Sequence, residues 1–200
     1  MKHIAILSAL SMSVVTLSSF ADETQPVNLD RLSLMYNSYD DTYGDSASGK
    51  QLTASTSFGK GKNWVFHVSA ASMDYDDYDL NASTRQAGIG YAVYDDRVVS
   101  ILSAGIGRAD ASSCYRGYCA SVDENYTFTR LDFIFPTTDK LELTAGFMLQ
   151  NMTVDSDSET TPSYSFGADY FITESLALSA AYNNDDDSNS STSIGLTYSF

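Results

Sequence analysis

The sequence predicts an all-β fold: a closed antiparallel transmembrane β-barrel of ten strands, with its apolar face turned outward into lipid. Three observations predict it. Ten segments alternate apolar and polar residues with a period of two, and no segment shows a helical period. Most of these segments have 8 to 11 residues. A strand tilted across a bilayer needs about 9 to 11, whereas a strand of a water-soluble sandwich is nearer 5 or 6. The connections between the segments are long and short by turns.

Composition removes the competing classes. A net charge of −15 excludes a nucleic-acid binder working through a general basic field. Fourteen tyrosines and ten phenylalanines argue against a disordered acidic tail. Beyond the N-terminus no run of about 18 apolar residues exists, so membrane-spanning helices are not expected.

Met1 to Ala21 reads as a secretory signal peptide. Lys2 and His3 open it, Ile4 to Leu17 is uncharged, and Ser19-Phe20-Ala21 offers small residues for a cut before Asp22. Residues 22–200 then form one domain. Its expected strands are 28–37, 51–58, 64–73, 84–94, 98–108, 125–135, 141–151, 163–171, 176–182 and 192–200. In the fourth, Ala87, Ile89, Tyr91 and Val93 oppose Gln86, Gly88, Gly90 and Ala92. In the fifth, Val99 and Ile101 compete with Leu102, Ala104 and Ile106 for the outer face. The sixth sets Leu131, Phe133 and Phe135 against Arg130, Asp132 and Ile134. The seventh sets Leu141, Leu143, Ala145, Phe147 and Leu149 against Glu142, Thr144, Gly146, Met148 and Gln150. The tenth sets Ile194, Leu196, Tyr198 and Phe200 against Ser193, Gly195, Thr197 and Ser199. Strands 2, 5 and 9 alternate least cleanly, so eight strands is the alternative count.

The polar face of these strands is small: Gly, Ser, Thr and Ala. A water-facing exterior carries more Lys and Glu than this. The apolar face therefore meets lipid and the small face lines a narrow interior. The odd-numbered connections have 13, 10, 16, 11 and 9 residues and the even-numbered ones 5, 3, 5 and 4. Long loops on one rim and short turns on the other match a bacterial outer-membrane barrel, with both termini periplasmic. The long connections hold 16 of the 26 acidic residues. The spanning segments are nearly neutral, as burial in lipid demands. Trp64, Tyr91, Tyr198 and Phe200 fit one interfacial aromatic girdle, and Tyr36, Tyr164 and Tyr182 the other.

The chain ends Thr197-Tyr198-Ser199-Phe200, an alternating strand closed by an aromatic. With Ile194, Leu196, Tyr198 and Phe200 on one face, it resembles the C-terminal assembly signal of bacterial outer-membrane β-barrel proteins. The resemblance covers the chain after residue 21 at the level of architecture, and is to small barrels of the OmpA-transmembrane, OmpX/Ail and opacity-protein kind. It implies recognition by the barrel-assembly machinery and periplasmic chaperones, and contact with outer-membrane lipid and lipopolysaccharide.

Several residues are candidates for function. Cys114 and Cys119 flank Tyr115-Arg116-Gly117-Tyr118 in the longest loop, and export favours a disulfide there. Tyr115, Arg116 and Tyr118 then form a contact patch for an extracellular partner, because Tyr and Arg are favoured interface anchors. Arg31, His67, Arg130, Asp132, Glu142 and Asp169 are expected to form a polar cluster in the lumen, read either as a salt-bridged plug or as a charged pore constriction. No specific metal site or cofactor is expected. The acidic runs 74–79, 155–159 and 185–187 suit weakly held Ca²⁺ or Mg²⁺, without EF-hand spacing. His67 and Ser69 share a face, which is similar to the His-x-Ser pair of outer-membrane lipid A deacylases. An enzyme is nonetheless not expected. The expected role is structural or surface-interactive, with a narrow porin-like channel as the alternative and a lipid A-modifying enzyme third.

Overall fold

The structure, a computed structural model, describes residues 27–40, 46–75, 80–95, 97–115, 118–154, 157–185 and 190–200. The expected signal peptide, residues 1–21, lies outside the described residues, as do Asp41, Asp45, Asp76, Asp77, Asp79, Arg116, Asp155, Asp186 and Asp187.

Ten strands form a single closed sheet: β1 (Arg31–Asp40), β2 (Ser46–Phe58), β3 (Trp64–Tyr75), β4 (Leu80–Tyr94), β5 (Val99–Tyr115), β6 (Tyr118–Thr138), β7 (Leu141–Val154), β8 (Asp157–Phe171), β9 (Leu176–Asp185) and β10 (Ser190–Ser199). Every strand pairs antiparallel with its chain neighbours. The sheet closes where β1 meets β10, from Arg31 opposite Ser199 to Asp40 opposite Ser190. Closure leaves no unpaired edge, which the interior of a bilayer would not tolerate. The count is ten, and the alternative of eight is excluded because strands 2, 5 and 9 are all full members of the sheet.

The strands are longer than expected at one end. β5 and β6 continue in register to Cys114 opposite Cys119 and Tyr115 opposite Tyr118. The expected sixteen-residue loop at 109–124 is thus almost wholly a projecting hairpin, and much of 152–162 is β7 and β8. Asp110, Asp123, Glu124 and Glu159 accordingly lie on strands rather than in loops. The alternation fades there because a ribbon standing clear of the lipid has water on both faces, so neither face needs apolar residues.

At the other end the turns are short and locally capped. Gly59 and Gly61 take positive φ of 84° and 75°, a conformation open to glycine at no steric cost, between β2 and β3. Thr173 Oγ1 accepts from the Ser175 and Leu176 backbone N–H groups between β8 and β9. Pro136, which has no N–H to donate, coincides with a register shift as β6 leaves the sheet.

Large apolar side chains cover the outside. Leu34, Leu102, Ile106, Phe166, Ile194 and Leu196 are 47–67% exposed. Leu143 faces outward with them, and the ambiguity of the fifth strand resolves: Leu102, Ala104 and Ile106 point out, Val99 and Ile101 in. Trp64 and Tyr91 pack edge-to-face at 5.3 Å on this outer wall, and the Tyr198 and Phe200 rings stack at 6.5 Å.

Candidate functional site in the barrel lumen

The inward rows of β1, β3 and β9 are buried throughout their described length, and those of β2 and β4 are buried except at Ser57 and Tyr94 by the short-turn end. On β5, β7, β8 and β10 the half-exposed inward positions include Gly105, Gly107, Gly146, Gly167 and Gly195, together with Thr144, Ser165 and residues nearer the strand ends. Side chains fill the lumen in layers.

The layer at the short-turn mouth begins before β1. Residues 28–30 were expected as strand. Instead Val27 and Leu29 insert into the mouth and pack with Val65, Ala92, Val99, Ile101 and Ile134. Leu29 is fully buried. The insertion is anchored by polar contacts at its ends. Asp30 carboxylate oxygens accept from Ser57 N–H, Ser57 Oγ and Thr56 Oγ1, and Lys62 Nζ stands 3.4 Å away. Phe200 N donates to the Asp30 carbonyl at 3.1 Å. Val27 and Leu29 alternate as a strand would, so periodicity could not separate them from β1.

Arg31 lies directly above this layer. Glu142 on β7 and Asp169 on β8 are cross-strand partners, so two carboxylates face the lumen side by side. Arg31 reaches over from β1, on the other side of the barrel. Its NH1 donates to Asp169 Oδ2 at 2.6 Å and its NH2 donates to Glu142 Oε2. The Phe171 ring lies 5.6 Å from the guanidinium carbon. A bidentate fork suits this arrangement, in which one cation must satisfy two like charges held by separate strands.

The remaining expected cluster members sit elsewhere. Arg130 Nε donates to both oxygens of Asp132, on its own strand, at 2.8 and 2.7 Å. His67 packs against Phe128, with ring centroids 5.8 Å apart. The expected single cluster is therefore divided into one ion triad, one ion pair and an aromatic-packed histidine. Above them, Phe128 and Tyr126 lie across Gly105 and Gly107. A Cβ added at Gly107 would come within 2.2 Å of the Tyr126 ring. Tyr126 Oη donates to Gln86 Oε1 at 3.2 Å. On the far wall Thr197 Oγ1 links the Ser33 and Ser179 hydroxyls at 2.9 and 2.7 Å.

His67 and Ser69 share the inward face and are both buried. They lie inside the filled lumen and not at a lipid-accessible surface. Among the described residues no group of three or more His, Cys, Asp and Glu side chains is placed to hold a metal ion. The Cys114 and Cys119 sulfurs are 2.11 Å apart, joined as a disulfide across the projecting hairpin. Tyr115 and Tyr118 are opposite one another at its tip, and Arg116 lies outside the described residues. Ile194, Leu196, Tyr198 and Phe200 are exposed on the outer face of the closing strand.

The sequence reading missed a second charged group, on the outer wall. Arg85 on β4 and Arg108 on β5 are directly opposite one another. Asp110 accepts from both at 3.0 Å, and Asp123 accepts from Arg108 at 2.6 Å. Asp110 stands on the part of β5 that projects past the apolar belt. Its carboxyl is held below the usual carboxylate range by hydrogen bonds from Arg85 and Arg108. The available signal was the Arg108-x-Asp110 spacing, which puts opposite charges on one face of a strand.

Comparison with known proteins gives a likeness of fold. No protein-family model matches the chain, and neither does a curated protein. Among solved structures, the NanC porin aligns with a TM-score of 0.53 and 13% identity, over 84% of this chain and 100% of that one. The β domain of the Bordetella autotransporter BrkA aligns at 0.49 and 13%, over 86% and 99%. Neisserial surface protein A aligns at 0.45 and 13%, over 85% and 95%. The chain thus shares the architecture of small bacterial outer-membrane β-barrels.

Proposed function

We propose that the protein is an outer-membrane barrel with a structural or surface-contact role, and that its lumen is shut. The long hairpins are extracellular in this reading and both termini periplasmic. The observation that carries it is the filled short-turn mouth: Val27 and Leu29 in a dry apolar layer, roofed by Arg31 tied across the barrel to Glu142 and Asp169. An eight-stranded barrel is just filled by side chains. Ten strands enclose more space, and the inserted lead segment and the large side chains Arg31, Tyr126 and Phe128 take it up. The apolar exterior supports the location, since exposed aliphatic and aromatic rows around a whole barrel suit only lipid.

The active surface is then the extracellular end, with the disulfide-closed hairpin offering Tyr115, Arg116 and Tyr118 to a partner. Ca²⁺ or Mg²⁺ held weakly by the acidic hairpins bridges them to lipopolysaccharide phosphates. Assembly engages the barrel machinery and periplasmic chaperones through the closing strand. The reading is non-enzymatic, since His67 and Ser69 are enclosed in the lumen. Planar-bilayer recording tests it: the purified protein is expected to give no discrete conductance steps, and removal of residues 114–119 to abolish surface contact while the barrel still assembles. Steps that change with Arg130→Ala would establish the channel reading instead. That second reading is favoured by the polar middle of the lumen, where buried Asn37 Oδ1, Ser69 Oγ, Gln86 Nε2 and Gln150 Oε1 have no protein partner.

A further inference from the structure

We propose that the outer wall of β4 and β5, at the upper edge of the apolar belt, binds the phosphorylated headgroup of an outer-leaflet glycolipid through Arg85 and Arg108. The inference rests on the outer-membrane placement above and adds a defined site to it.

The first support is where the cations stand. Along β4 the outward row runs Val93, Tyr91, Ile89, Ala87 and then Arg85. Along β5 it runs Leu102, Ala104, Ile106 and then Arg108. On β2, Leu52 is followed by Lys50. In each case the first charged outward side chain beyond the belt is a cation. On the other walls the row passes from apolar to uncharged residues: Ser38 on β1, Thr129 on β6, Asn151 on β7, Asn184 on β9 and Thr192 on β10. The basic residues at this level are confined to one side of the barrel, among the described residues. An arginine at such a boundary lays its stem on the apolar wall and its guanidinium among lipid headgroups.

The second support is the pairing. Two arginines directly opposite on adjacent strands repel and weaken the ladder unless an anion lies between them. Asp110 and Asp123 balance the two positive charges. Yet each guanidinium has five N–H donors. Arg85 makes its ion pair through NH2 alone, and Arg108 through Nε and NH2. The Arg85 side chain is 68% exposed and that of Arg108 47%. Arg85 keeps Nε and Nη1 donors and Arg108 its Nη1 donors, and these can reach phosphate oxygens.

The third support distinguishes a lipid from a free anion. The long-hairpin end is strongly acidic, which repels dissolved phosphate. A phosphate carried on acyl chains is delivered regardless, because the chains are held by the apolar rows below. Next to Asp110 and Asp123, and bordered by neither arginine, lies a hollow of about 310 Å³ whose lining also includes Ser72, Asp74, Asn81 and Ser83. Its carboxylates, amide and hydroxyls are partners for sugar hydroxyls, which a simple phospholipid lacks.

The test uses the purified protein in detergent micelles and native mass spectrometry to count retained lipid. Bisphosphorylated lipid A, monophosphoryl lipid A and phosphatidylglycerol are the probes. Retention of bisphosphorylated lipid A is expected to fall about tenfold in R85Q/R108Q and to be unchanged in K140Q, at the opposite end. Retention in D110N/D123N is expected to rise, because the competing carboxylates are gone and both arginines remain. The altered gel mobility of unheated barrel certifies folding of each variant. Equal retention by wild type and R85Q/R108Q, lower retention in D110N/D123N, or phosphatidylglycerol held as well as lipid A would each overturn the site. Fractionation of cells keeps the two ideas apart: recovery of the protein outside the outer membrane would overturn the placement, whatever the micelle result.

Discussion

Arg31 holds together two carboxylates that neighbouring strands force side by side. Glu142 and Asp169 are fixed opposite one another by the β7–β8 register, and both are nearly inaccessible to water. Removing the cation strands two buried like charges, whereas replacing the whole group leaves only a packing change. Arg31→Gln is therefore expected to lower unfolding stability by about 3–5 kcal/mol, measured by urea unfolding in micelles. The triple change R31M/E142Q/D169N is expected to recover most of that loss. A residue of the opposite character is Asp110, half-exposed and held between two arginines. A carboxyl depressed in the folded state keeps its ion pairs as pH falls past the ordinary carboxylate value of about 3.9, and releases them only on passing its own lower value. Carboxyl NMR titration should place the Asp110 midpoint below that ordinary value, and Arg85→Gln should raise it.

At the level of elements, β5 and β6 show how a narrow interior is packed. β5 supplies bare backbone at Gly105 and Gly107, and β6 lays Phe128 and Tyr126 across it. The glycines are needed because the rings occupy the space a Cβ would take. Gly107→Val should therefore destabilise the barrel by about 1–3 kcal/mol through overpacking, and the loss should shrink when Tyr126 is changed to Ala in the same chain. Unfolding midpoints of the single and double variants decide this. The same hairpin shows why strand ends were illegible. Within the belt, lipid on one side and lumen on the other impose the period of two. Above it, from Asp110 to Val122, that constraint lapses while the backbone pairing continues to the disulfide.

For the whole molecule, the proposed closed lumen rests on the lead segment. Leu29 sits in the apolar layer that closes the short-turn mouth. Leu29→Asn brings a polar amide into that layer, where it lacks partners and draws water in. Discrete conductance in planar bilayers is expected from the L29N protein and not from wild type. If L29N stays silent while folded, the closure lies higher, at the Arg31 triad or the aromatic layer. In the proposed reading, closure at one end and an acidic rim at the other leave the long hairpins and the outer wall as the surfaces that meet partners.

The sequence by itself determined the barrel, ten as the leading strand count, the outward turn of the apolar face and the unequal rims, and the structure removed the alternative of eight. All of these follow from a period of two and from the length of a bilayer crossing, which are properties of single segments. It also put Arg31, Arg130, Asp132, Glu142 and Asp169 on the inward face, since facing follows from parity along each strand. The partners of those charges were decided only by closure. Pairing of β1 with β10 brings Arg31 to the right height to reach β7 and β8, while Arg130 is paired with Asp132 on its own strand. The inserted residues 27–30 and the Arg85–Arg108 pair were likewise invisible. Each depends on which residues of distant segments meet, and no local pattern encodes that.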